Sequence, residues 1–305
     1  MELLEYSLYG PTDGFPVMSL GGSPSTRWKR PEAVEDMAAS GLRILIPDRP
    51  GYGGSPRRLG RSVADGADDV ARLADALGWT TFAVIGGSGG GPHALACAAL
   101  LPDRVTCCAV VGGIAPLTAE GPEPTDDDEV ADPRRSLTAW LAVHDPARFR
   151  ARFAAGAEQI MAAVAAGGPE FPPAPGSPPG PPARDDAAAM ARLTATFGSG
   201  SADGCLDDNV AFATPWGFEL ADVRVPTIIW HGTADERAGR HAVLLTEAIP
   251  AAESIQYDGG HVPPSAAYRE NSRMVARRNE RGWCGSVGSA PCSSSVGRHG
   301  RSRLD

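Results

Sequence analysis

The chain has 305 residues, of which 42% are apolar and 21% charged, with a formal charge of −9 at pH 7. That is the profile of a soluble globular protein with length for one large α/β domain or two smaller ones, and the acidic balance disfavours nucleic acid as a partner, because phosphate binding needs a cationic face. No stretch approaches the ~20 continuous apolar residues of a membrane span, and the opening residues Met1-Glu2-Leu3-Leu4-Glu5-Tyr6 lack the basic and apolar regions of a secretory signal.

In chain order, residues 5–9 and 15–20 read as short strands, the first at a sheet edge. A glycine- and serine-rich loop follows, Gly21-Gly22-Ser23-Pro24-Ser25, and residues 31–40 suit a helix. Leu42 to Ile46 is an apolar run of the kind a strand buried on both faces shows. It runs into Asp48-Arg49-Pro50-Gly51-Tyr52-Gly53-Gly54-Ser55, a loop by composition in which Asp48 is expected to hold the backbone of its own turn. Val63, Ala67, Val70, Ala71, Ala74 and Leu77 recur at helical spacing. A strand at 82–85, an alanine-rich helix at 94–101 and a strand at 105–111 continue the alternation. Strand-helix alternation of this kind predicts a mainly parallel sheet with right-handed crossovers.

Between the strand and the alanine-rich helix stands Gly86-Gly87-Ser88-Gly89-Gly90. Strand, tight turn and helix with a serine at the apex is the layout of a nucleophile elbow, and Gly86, Ser88 and Gly90 fit its Gly-x-Ser-x-Gly pattern. Small residues are needed two positions either side, because the turn brings neighbouring backbones close. A phosphate-binding loop would require Gly-Lys-Ser/Thr, and no lysine is present. A dinucleotide fingerprint can be forced as Gly89-x-Gly91-x-x-Ala94, but the next strand ends in Gly112-Gly113 and not in an acidic residue.

The rhythm breaks over 115–220, which reads as a helical cap inserted after the fifth or sixth strand. Within it, 123–132 is strongly acidic and expected to be a solvated loop. Residues 136–166 are helical in character, and 168–184 form a proline-rich linker unsuited to helix or central strand. Trp140, Phe149, Phe153, Trp216 and Phe218 are expected to form the core of this cap. The sheet resumes at 225–230 and again at 254–257, with a helix between. The core is thus assigned to 1–114 and 221–265, while 266–305, rich in serine, glycine and arginine, reads as a disordered or frame-shifted tail.

A serine becomes a strong nucleophile only beside a base that a carboxylate orients. In open α/β sheets such partners belong on loops at the carboxyl ends of strands. Asp235 follows the strand ending at Trp230, and His261 follows the one ending at Tyr257. Glu236, Asp207 and Asp208 are alternative acids, while His93 and His231 read as packing or strand-end residues. Six cysteines, Cys97, Cys107, Cys108, Cys205, Cys284 and Cys292, contain no Cys-x-x-Cys pair, so neither zinc nor redox chemistry is suggested, and a reduced, cytoplasmic protein is expected.

On Gly22-Ser23-Pro24, the loop 48–55, the elbow, His231-Gly232-Thr233-Ala234-Asp235 and Gly260-His261, the chain resembles serine-nucleophile α/β-hydrolases of the esterase and peptidase type. The resemblance implies an α/β-hydrolase sheet with Ser88 as nucleophile, His261 as general base and acid, and Asp235 as the orienting carboxylate. It also implies an oxyanion hole from the Gly89 and Ser23 amides, no metal or organic cofactor, and a small-molecule substrate. Carboxylic-ester hydrolysis leads; aminopeptidase, C–C hydrolase, perhydrolase and non-catalytic ligand binding remain open. Gly21 stands where the family usually carries a histidine supporting the oxyanion loop, which predicts a less firmly held loop, and a closing helix after His261 is not legible.

Overall fold

The computed structural model describes residues 2–29, 35–36, 39–166, 193–198 and 201–263. Seven strands form one sheet: β1 (Tyr6–Tyr9), β2 (Phe15–Leu20), β3 (Leu42–Pro47), β4 (Phe82–Gly87), β5 (Val105–Val111), β6 (Thr227–Gly232) and β7 (Ala252–Tyr257). Their spatial order is β1-β3-β2-β4-β5-β6-β7. β1 pairs antiparallel with β3, and every other neighbouring pair is parallel. The parallel sheet expected from the alternation is present, and β4 lies in its middle.

Each central strand is apolar on both sides because both sides are buried. Met18, Leu45, Phe82, Val84, Cys108, Val110 and Ile229 face one cluster. The residues between them, Val17, Ile44, Ile46, Ala83, Ile85, Cys107, Ala109, Val111, Ile228 and Trp230, face the other. This is the period-two alternation of a pleated strand, with water excluded from either face. Helix α1 (Asp65–Ala76) lays Ala67, Val70, Leu73 and Ala74 against the first cluster. Helix α2 (Gly91–Leu100) is buried around most of its circumference from Gly91 to Ala98, as expected of a helix apolar on all sides.

Between β5 and β6 the chain forms α3 (Asp126–Ala131), α4 (Leu137–His144), α5 (Pro146–Ala165) and α6 (Ser201–Phe212). This interval follows the fifth strand. The acidic stretch expected as a loop is helical at α3. Thr125 accepts from the Asp128 amide while Asp128 accepts from Thr125, so a capping box and acids at the helix N-terminus supply what an apolar face does not. The break between α4 and α5 falls at Asp145-Pro146, where Asp145 caps the new helix and proline takes its first position.

Leu141, Ala142, Phe149, Cys205 and Leu206 make a separate apolar cluster that includes Tyr52 from the loop after β3. Trp140 and Phe153 pack on it, as expected. Trp216 and Phe218 do not: they join the main cluster under the sheet, because they follow α6 on the return to β6. The proline-rich linker at 168–184 and the tail at 266–305, with Cys284 and Cys292, lie outside the described residues. The remaining four cysteines are buried free thiols. No helix among the described residues is long and apolar enough to cross a membrane.

Leu73 is fully buried, whereas Leu59 is 73% exposed. Leu73→Ala should therefore cost about 2–5 kcal/mol in chemical denaturation, and Leu59→Ala should stay within about 0.5 kcal/mol of the parent. Equal effects at the two positions would contradict the described core.

Candidate active site

β4 ends at Gly87, and the chain turns through a short 3-10 segment, Ser88–Gly90, directly into α2. Ser88 has φ +48°, the one positive φ at a non-glycine residue among the described ones. A serine in the left-handed region is strained, and it persists only where its surroundings over-determine it. Those surroundings are backbone. A Cβ at Gly90 would run into the carbonyl oxygens of Leu20 and Gly21, and one at Gly86 into the carbonyl of Gly90. The elbow therefore needs glycine two residues before and two after the serine so that β2, β4 and α2 can meet.

The loop after β2 lies against the elbow. A Cβ at Gly22 would come within 3.3 Å of the Ser88 Cβ, and one at Gly89 would lie 2.9 Å from the Ser23 Cβ and 3.2 Å from the Ser23 amide nitrogen. Ser23 and Gly89 are thus brought together beside Ser88. The Ser23 side chain fills the space that a side chain at position 89 would need.

Asp235 is the N-cap of α7 (Glu236–Ala248), where one carboxylate oxygen accepts from the Ala238 amide at 3.0 Å. The other oxygen lies 2.6 Å from His261 Nδ1. Because an ionised carboxylate only accepts, the imidazole proton resides on Nδ1, and Nε2 is left with a lone pair. Burial pushes the Asp235 carboxyl upward, but the His261 and Ala238 hydrogen bonds outweigh it and hold the group below its usual range. The His261 ring also lies against the end of β5: a Cβ at Gly112 would meet its Cε1 at 3.1 Å. Val111, one residue earlier, is the register partner of Gly87, which precedes Ser88. Serine, histidine and aspartate thus gather at the carboxyl ends of β4, β7 and β6. The His261 side chain is 49% exposed, and among the described residues no hydrogen bond yet joins its Nε2 to Ser88 Oγ.

The alternative acids are placed elsewhere. Asp207 pairs with Arg57 at 2.7 Å. Asp208, fully buried on α6, takes Arg49 at 2.6 Å, Arg61 at 2.6 Å, the Tyr52 hydroxyl at 2.7 Å, the Ser23 hydroxyl, and His93 Nε2 at 3.3 Å. Burial opposes its charge, yet Arg49, Arg61 and His93 hold it well below the ordinary carboxylate range. Burial pulls His93 down in turn, against the upward pull of Asp208. Asp48 behaves as expected and accepts from the Arg27 and Gly54 amides.

The Gly21 substitution does not leave its loop unsupported. Arg49 donates to the carbonyl oxygens of Gly21 and Gly22, the latter at 2.9 Å. This support was not legible in the sequence. Arg49 sits in a loop that reads as a turn, and its carboxylate partner lies 159 positions further along the chain.

One buried histidine ties the site to the core. His241 of α7 accepts the Ala115 amide at its Nδ1, 3.2 Å away, so the start of the inserted interval is bonded to the helix that Asp235 caps. Burial, with Arg237 and Arg240 nearby, pulls its pKa down to about 4. Among the described residues, no group of three or more histidine, cysteine, aspartate or glutamate side chains is arranged to hold a metal ion.

Comparison with known proteins agrees with this geometry. A family profile described as alpha/beta hydrolase fold matches residues 16–264. The uncharacterized hydrolase YcgS of Bacillus subtilis is 32% identical over 102 residues, 33% of this chain, and the match spans about a third (35%) of that relative's length. An alpha/beta hydrolase fold protein from Nakamurella multipartita superposes with TM-score 0.57 at 24% identity, covering 90% of this chain and 96% of its own. A structure from the thaumarchaeon Nitrososphaera gargenis, from work on its carboxylesterases, reaches TM-score 0.62 at 18% identity, covering 91% and 95%. At these identities the two structures establish the fold.

The His241 pKa falls from 6.5 to about 4 on folding. As pH drops, the unfolded chain takes up this proton first, so the contribution to stability is complete above pH 6.5 and is lost progressively toward pH 4. His241→Asn keeps an acceptor for the Ala115 amide but does not titrate. It should flatten the decline of the urea midpoint between pH 6.5 and 4, and an unchanged slope would assign that decline to other groups.

Proposed function

The chain belongs to the α/β-hydrolase family, and on that premise we propose that it is a serine hydrolase cleaving a carboxylic ester of a small to medium, fairly apolar substrate through an acyl-enzyme. The observation that carries the reading is the 2.6 Å bond from His261 Nδ1 to Asp235, formed at the sheet edge that also bears Ser88 in its left-handed turn. Such a turn lifts the serine Oγ clear of the backbone, and an aspartate-held imidazole offers its Nε2 to a hydroxyl proton.

In the proposed sequence, Ser88 Oγ attacks the ester carbonyl as its proton passes to His261 Nε2, and the imidazolium that forms faces Asp235. Negative charge develops on the carbonyl oxygen, and the amides of Gly89 and Ser23 receive it, each such donor being worth roughly 2.7–4 kcal/mol of barrier. Collapse expels the alcohol, which takes the proton from His261. Water then gives a proton to the same nitrogen and attacks the acyl group, returning free acid and Ser88. Esters are favoured over amides by the carboxylesterase work from which the Nitrososphaera gargenis structure comes.

Purified protein should be labelled by a fluorophosphonate at Ser88 and should hydrolyse p-nitrophenyl acetate. Ser88→Ala should abolish both while the melting temperature stays near that of the parent. His261→Ala should be nearly as inactive, and Asp235→Asn should lower kcat by as much as ~10⁴ through loss of the productive tautomer. Folded protein that is neither labelled nor active would favour a non-catalytic binding protein. Near-normal turnover in Asp235→Asn would require another acid.

A further inference from the structure

We infer that Arg49, locked in place by the buried carboxylate of Asp208, is a positioning residue that sets the direction of the Ser23 N–H in the oxyanion hole. The inference rests on the serine-hydrolase reading and concerns how one of its donors is aimed.

The argument is one of peptide geometry. The Ser23 N–H and the Gly22 carbonyl belong to a single planar trans unit, so they point in opposite directions and cannot be oriented separately. Arg49 holds that carbonyl at 2.9 Å through the same nitrogen that donates to the Ser23 hydroxyl at 2.9 Å. Its other terminal nitrogen takes the Gly21 carbonyl. A planar fork bridging two successive carbonyls fixes the tilt of the peptide between them, which a single ammonium cannot do. On the opposite side of the plane, the Ser23 nitrogen faces Gly89 and the elbow. A cation on the carbonyl also draws electron density from the amide, which strengthens its N–H as a donor.

The guanidinium could not hold this position alone. Its side chain is 6% exposed, and an unpaired charge there would be costly. Asp208 supplies the counter-charge at 2.6 Å and also accepts the Ser23 hydroxyl. Burial works against the charge on Arg49, but Asp208 and the Tyr52 hydroxyl more than offset this and raise its pKa. Asp208 lies on α6, at the end of the helical interval, so the seating of that interval and the aim of the oxyanion donor share one carboxylate.

Three variants test the assignment with p-nitrophenyl butyrate turnover, inhibition by an aliphatic trifluoromethyl ketone that adds to the serine as an oxyanion, and thermal melting. Arg49→Lys keeps the charge beside Asp208 but loses the fork. Expected is a fall in kcat of about tenfold or more, within the ~10²–10³ that loss of a whole donor costs, with KM within about twofold and ketone affinity lowered by a factor matching kcat. Ser23→Ala retains the amide but frees the hydroxyl anchor, and should shift kcat and ketone affinity the same way with little change in melting. It decides the matter if Arg49→Lys does not fold. Arg57→Gln removes ion pairs to Asp203 and Asp207 on the same helix, so it perturbs the seating of α6 without touching the loop; kcat should be retained. Unchanged kcat in the folded Arg49→Lys variant, or in Ser23→Ala if that variant is the one that folds, would overturn the inference while leaving the serine hydrolase intact. So would a loss confined to KM, or an equal kcat loss in Arg57→Gln. A parent protein that is inert and unlabelled would overturn both readings.

Discussion

Asp208 is the carboxylate on which the upper half of the molecule converges. Its two oxygens face Arg49, Arg61, Tyr52, Ser23 and His93, contributed by the loops after β2 and β3, the entry to α1, and α2. Buried ion pairs are poor sources of net stability, because desolvation takes back most of the Coulombic gain, yet losing one partner leaves an uncompensated charge. The consequence here is geometric. Segments with few apolar contacts of their own are held at fixed separations, and each donor is satisfied only if the others are in place. The loops around Ser88 are therefore rigid for electrostatic reasons, where the sheet beneath them is rigid for apolar ones.

A second constraint acts at the elbow. Ser88 occupies a strained backbone conformation, and the strain is tolerated because Gly86 and Gly90 let three backbone segments approach within contact. The loop supported by Arg49 is one of the walls of this turn: the Leu20 and Gly21 carbonyls press on Gly90, and Ser23 presses on Gly89. Nucleophile turn and oxyanion loop are accordingly one packed unit. Asp235 adds a comparable economy on the far side of the sheet. It caps α7 with one oxygen and orients His261 with the other, so the carboxylate is fixed by the helix before the histidine arrives.

Much of this was legible from residue order. The strands at 15–20, 42–46, 82–85 and 105–111 could be read because burial on both faces makes them continuously apolar, and Ser88, Asp235 and His261 because each follows such a strand. The acidic segment 123–132 was misread because its helix, α3, is held by a Thr125–Asp128 capping box and not by an apolar face. Trp216 and Phe218 were placed in the wrong core because aromatic residues carry no signal of which cluster they join. Asp208 looked like a candidate acid because an isolated carboxylate does not announce its partner.

Local pattern, then, determined the strands, the glycine-flanked serine and the order of serine, aspartate and histidine, since periodicity and turn chemistry are properties of neighbouring residues. Tertiary structure alone decided what supports them. Whether Gly21 leaves its loop slack depends on a guanidinium from position 49, and whether that guanidinium stays put depends on a carboxylate at position 208. Such charges find one another only after the sheet has closed and water has been expelled, because in the open chain each is solvated and indifferent to the other.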